Sequence, residues 1–196
     1  MKKSENFSPE ESLQLIQTMI AKTQKDMGEN SKHFLLWGWV TFAACIGQFI
    51  LKHLLQYQKH YFVWLLVFPA AIVSIYLGIT EEKKQRVRSY IGDSMKNLWL
   101  GMGISYFVLS MILTRLGWNT NIFPFFILLY GLGTFVSGMF LHFRPMVLGG
   151  LAAWVLAITA GYFNYDYQML FGAAAILVSY IIPAYMLQSK NKVAKQ

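Results

Sequence analysis

Charge is what this chain has least of. Asp, Glu, Lys and Arg make up 13% of its 196 residues, against roughly 25% in an ordinary soluble domain. Hydrophobic residues make up 56%. A soluble protein of this size could bury a core, but it could not keep a polar shell around so much apolar surface. Cysteine is nearly absent. Cys45 stands alone in an apolar run, which excludes an internal disulfide and a Cys-based zinc site; it reads as a small buried apolar residue. Acidic residues are few, 9 against 17 basic, giving a net charge of +8. The basic residues are spread between apolar runs, and no RNP, zinc-finger or basic-zipper pattern accompanies them, so nucleic acid is not the expected partner.

Catalytic signatures are missing as well. There is no Walker loop, Rossmann fingerprint, serine acyl-transfer motif or H-E-x-x-H. Glu81-Glu82 followed by Arg86 matches the E-E-x-x-x-R string of the intramembrane CAAX-type proteases. That string sits in a charged loop, and His142 runs on into Phe143, Arg144, Pro145 and Met146 rather than into that family's later histidine pattern. The match is read as chance. His53 and His60 lie seven residues apart in one loop, His33 and His142 elsewhere; each reads as a headgroup-level histidine, with a weak exposed metal pair at His53 and His60 as the sharper alternative. The expectation is a non-enzymatic protein with no cofactor. An early apolar segment of signal-peptide type is also missing. Lys2 and Lys3 are followed by about thirty polar or amphipathic residues, so the first apolar run is expected to act as an uncleaved anchor.

Long apolar runs are what the chain has instead. A bilayer core of about 30 Å needs roughly 20 helical residues, and six stretches qualify: 33–54, 61–79, 98–116, 122–141, 145–163 and 168–187. Their charged residues, Lys52 and Arg115, sit near ends, as the cost of about 2.5–3.5 kcal/mol for a mid-bilayer charge demands. The predicted fold is an all-α membrane protein. A six-helix transmembrane bundle over 33–187 follows a cytoplasmic amphipathic helix within 1–32 and precedes a basic tail, 188–196. With the N-terminus inside, fourteen Lys and Arg fall in inner segments; the outer side holds three, Lys52, Lys59 and Arg115. The positive-inside rule then places both ends in the cytoplasm. Trp37, Trp39 and Trp99 are expected near the inner interface, and Tyr57, Tyr61, Trp64, Trp118, Tyr162, Tyr165 and Tyr167 near the outer one.

Ser8-Pro9-Glu10-Glu11 is a helix start, with Ser as N-cap, Pro in the first turn and Glu three residues after the cap. Leu13, Leu15, Ile16, Met19, Ile20 and Met27 then fall within about 160° of the helical wheel. Such a face must be covered by membrane, by its own bundle, by a second copy or by another protein. Lipid-binding helices are rich in Lys and Arg, whereas residues 1–32 carry five basic and five acidic groups. Protein contact is therefore the expected use, with Leu13, Ile16, Met19 and Ile20 as docking residues. Lys83, Lys84, Arg86 and Arg88 lie in an inner loop; they read as a topology determinant or as a site for anionic lipid headgroups.

Within the spans, Gly149, Ala153, Ala157 and Gly161 recur every fourth residue, a ridge that lets another helix approach closely. It fits closure of the monomer or a homodimer. Gly101, Gly103, Gly131 and Gly133 are read as further packing glycines. Thr134, Ser137 and Gln48 are read as interhelical hydrogen-bonding groups. Pro69 and Pro183 each remove a backbone bond, the first in the middle of the second span. A transporter or channel, alone or as a dimer, with Pro69, Pro183 and Gln48 flanking a cavity, is the alternative to the docking protein.

The stretch Leu129-Tyr130-Gly131-Leu132-Gly133-Thr134-Phe135, with His142-Phe143-Arg144-Pro145, resembles a family of small multi-pass bacterial inner-membrane proteins with no defined activity. So does the Glu11-Ser12-Leu13 helix leading to Trp37-Gly38-Trp39. The resemblance implies a bacterial inner membrane and a regulatory setting beside winged-helix transcription factors. It implies no catalytic residue.

Overall fold

The computed structural model describes residues 8–29, 31–84, 90–116 and 122–193, and the side chains of 8–22, 35–80, 92–116 and 122–189. Every regular element among the described residues is helical. Helix α1, Pro9–Glu29, opens on a reciprocal capping box: Ser8 N donates to Glu11 Oε2 at 2.8 Å, and Glu11 N donates to Ser8 Oγ at 3.1 Å. Helix α2, Ser31–Phe49, runs on into one π-helical turn, Ile50–Leu54. A 3-10 segment, His60–Leu66, leads into α3, Val67–Lys84. Helix α4 is Tyr90–Leu116, α5 is Phe123–Phe140 and α6 is Arg144–Ala160. Helix α7, Tyr165–Ile176, continues through a second π-helical turn, Leu177–Ile181, into α8, Ile182–Val193.

Five of these helical stretches are long and apolar enough to cross a membrane: Leu35–Leu54, His60–Thr80, Gly92–Leu116, Phe123–Phe140 and Tyr165–Ser189. The remaining predicted run, 145–163, forms α6, apolar but 17 residues long, about 26 Å at 1.5 Å per residue. Its position in the bundle is central. Helix α6 packs along α5 and against α7, the second π-turn and α8. Three glycines permit this. A Cβ on Gly138 would lie 2.6 Å from Val147 N, one on Gly150 would lie 2.7 Å from Phe135 Cβ, and one on Gly149 would lie 2.7 Å from Ser179 Cα. Helix α2 lies on α7, α3 lies on α2, and α4 lies on α5 and α1. The outlying helices expose large apolar side chains, among them Phe68, Ile72 and Tyr76 of α3 and Leu100, Ile104 and Phe107 of α4.

The helices alternate in direction. At one end, α1 meets α8 and α4, and Trp39 of α2 donates to Tyr185 of α8. At the other end, Lys52 and His53 of α2 meet Asp166 at the start of α7. The first and last helices therefore share one end of the bundle. Between the two ends, Cys45 is buried in the core, as its apolar context predicts. Trp99, Tyr106, Phe126, Tyr130 and Tyr180 form a contiguous ring cluster, with centroids 5.2 to 6.4 Å apart. Trp99, predicted at an interface, thus points into the interior.

Pro69 lies near the middle of the continuous helical stretch His60–Thr80, just after the 3-10 segment passes into α3, close to the mid-span position that the sequence gives it. Two local readings of the sequence are corrected. Thr134 and Ser137 are fully buried but do not reach across to another helix; their hydroxyls donate back to Tyr130 O at 2.8 Å and Gly133 O at 2.7 Å. Gly101 and Gly103 are exposed and would place a Cβ in open space, so only Gly131 and Gly133 of the four serve packing. Pro183 follows directly on the second π-helical turn, at whose end Ile182 N donates to Leu177 O.

Candidate functional site

The predicted docking residues lie along α1, with Leu13 and Ile16 the most exposed of them. Leu13 is 59% exposed, Ile16 53% and Met19 36%. Leu15 extends the same patch, and Ile20 is half-buried. The helix is held to the bundle by its contacts with α8 and α4. Its apolar stripe is thus only partly spent on its own chain. The polar groups beside the exposed half are Glu10, Glu11, Gln14 and Gln17, and the first described basic side chain is Lys22.

Of the predicted headgroup cluster, Lys83 and Lys84 occupy the last turn of α3, while Arg86 and Arg88 lie outside the described residues. The small-residue ridge faces inward. Gly149, Ala153 and Ala157 are buried, Gly149 directly against Ser179 of the second π-turn, while Gly161 caps the end of α6 half-exposed. Within the described chain the ridge closes the monomer.

The bundle end opposite α1 holds a polar network that the sequence did not reveal as a unit. Gln48, 2% exposed, is its hub. Trp64 Nε1 donates to Gln48 Oε1 at 2.6 Å, which fixes the amide orientation. Gln48 Nε2 then faces Tyr165 Oη at 3.2 Å and His60 Nδ1 at 3.1 Å, making His60 Nδ1 the acceptor. One turn on, Asp166 pairs with Lys52 Nζ at 2.6 Å and His53 Nδ1 at 3.3 Å. The Lys52 ammonium lies 4.0 Å from the centre of the Tyr165 ring, and His53 stacks on Phe49. The π-turn Ile50–Leu54 places Lys52 and His53 beside Asp166, more than a hundred residues later in the chain. The available signal was a polar Gln48 inside an apolar run together with a lone acid at Asp166.

The network does not resemble an active centre. Each hydrogen-bonding atom of Gln48 is engaged, and His53 and His60 point to different partners rather than to a shared ion. Among the described residues no group of three His, Cys, Asp or Glu side chains could hold a metal. Chemically it is a clamp: it fastens the turn between α2 and α3 to the start of α7.

Comparison with protein-family models, with curated proteins and with solved structures returned no match.

Proposed function

We propose that this chain is a bacterial inner-membrane protein that crosses the bilayer six times with both ends in the cytoplasm. Its role is non-catalytic: it holds α1 at the inner face as a docking helix for another protein, in a regulatory or scaffold setting. The exposed stripe Leu13–Ile16–Met19 on a helix fastened to the bundle carries this reading. Burial of one such side chain in a partner is worth about 1.5–3 kcal/mol. The acidic groups at positions 10 and 11 favour a protein partner over an anionic lipid surface. Six crossings agree with the shared end of α1 and α8 and with the unequal spread of Lys and Arg over the segments between the apolar runs.

Transport would need a polar passage. The buried residues where α5, α6 and α7 meet are chiefly Gly, Ala, Met and Ile, and Gln48 is fully occupied by its neighbours. Both observations support the docking role.

A photo-crosslinking amino acid at position 16 tests the proposal in cells, with one at position 17 for comparison. Position 16 is expected to give a discrete protein adduct that Leu13→Glu plus Met19→Glu abolishes, with the yield of folded protein unchanged. Adducts to lipid alone, or to the same chain alone, would overturn it.

A further inference from the structure

At the α1 end of the bundle, the α5–α6 turn carries an open notch of about 460 Å³, lined by Gly138, Met139, His142, Arg144, Val147 and Leu148. Its volume is in the range of small-ligand sites, about 300–1,000 Å³. The turn is built so that its residues alternate. Leu141 and Phe143 are buried and plug the bundle, while His142, in the left-handed conformation at φ 47°, and Arg144 stand outward. Neither His142 nor Arg144 has a side-chain hydrogen bond or ion pair among the described residues, whereas Lys52, near the opposite end, is paired. Arg144 is the one charged residue between Ile122 and Ala160, so no carboxylate in this hairpin neutralises it. The remaining wall is aliphatic. Met139 is 54% exposed, Leu148 is 65% exposed, and Val147 is half-buried.

We infer that this notch is a binding site for an anionic phospholipid, its phosphate held by Arg144 and His142 and the start of an acyl chain lying against Met139, Val147 and Leu148. The two halves of the lining select this occupant. A guanidinium with an imidazole fits a phosphate, and an exposed aliphatic wall of Met139 and Leu148 fits hydrocarbon rather than water. A free phosphate would leave the wall unused; an uncharged lipid would leave Arg144 without a counterion. The site requires that the α5–α6 turn sit at a headgroup layer, and it is independent of whether α1 engages a partner.

Native mass spectrometry of the full chain in detergent tests this, with phosphatidylglycerol and phosphatidylcholine titrated in parallel. One phosphatidylglycerol is expected to be retained in preference to phosphatidylcholine. Arg144→Gln should lower its occupancy roughly fivefold, as expected for one basic group facing an anionic headgroup. Leu148→Trp, which fills the notch and keeps its charge, should lower it as well. Lys83→Gln plus Lys84→Gln should not. Both notch positions are exposed, so the variants should fold, and an unchanged gel-filtration profile verifies that. Retention unaffected by Arg144→Gln, or equal retention of the two lipids, would overturn the assignment. So would complete displacement by millimolar inorganic phosphate, which would mark a free-anion site. Crosslinking from α1 is read separately, so the two proposals fail independently.

Discussion

Gln48 illustrates how one buried polar residue can organise a membrane-type interior. Its three contacts tie α2 to the 3-10 segment and to α7, and replacing it with Leu would strand Trp64, Tyr165 and His60 together. An unsatisfied buried group costs about 1–3 kcal/mol. Gln48→Leu should therefore lower the thermal unfolding midpoint in detergent clearly. Asp166→Asn should have a smaller effect, because Lys52 and Asp166 are about a third exposed and such pairs contribute at most about 1 kcal/mol. Equal midpoints for Gln48→Leu and wild type would show that the clamp carries no stability. At this scale the sequence was only partly legible. A polar residue in an apolar run announced Gln48, but its partners are set by the π-turn at Ile50–Leu54, and no local propensity marks that turn. Thr134 and Ser137 were misjudged for a related reason. A helical hydroxyl always has its own carbonyl four residues back as an acceptor, and that local option won.

Among elements, the hairpin of α5 and α6 is the most tightly specified. Gly138, Gly149 and Gly150 each face a neighbouring backbone or Cβ atom within 2.6 to 2.7 Å of where a Cβ would stand. Gly150→Val should force the helices apart and cost about 1–3 kcal/mol, visible as lost helical protection in hydrogen exchange. Gly101→Ala, on the open face of α4, should be neutral or stabilise by up to about 1 kcal/mol. Equal effects at the two positions would contradict the packing described. Four-residue spacing in the sequence revealed the ridge Gly149–Ala153–Ala157. Spacing cannot say which helix a ridge meets, nor separate Gly131, under Trp154, from Gly101, which faces nothing. The start of helix α1 was legible, because capping is a local property. Ser8→Ala should loosen its first turn, at about 0.5–2 kcal/mol, with faster amide exchange at residues 10–12 and no change in α5 or α6.

For the whole molecule, apolar run lengths predicted the helices, and the structure adds how they are arranged. Helices α5, α6 and α7 form the packed centre; α3 and α4 lie outside with apolar faces uncovered by the chain itself. Those faces are the physical ground for a hydrocarbon surrounding. In water, so much exposed Leu, Ile and Phe would drive aggregation. Helix α6, apolar but only 17 residues long, is also among the most enclosed. The central claim is that the chain crosses the membrane six times, α6 included, with both ends in the cytoplasm. Cysteine labelling in intact cells tests it directly, using single cysteines in a Cys45→Ala background with a membrane-impermeant maleimide. Gln58→Cys and Asn164→Cys should label from outside, whereas Thr18→Cys, His142→Cys and Ser189→Cys should label only after permeabilisation. If His142→Cys and Asn164→Cys label from the same side, α6 does not cross and the account is wrong.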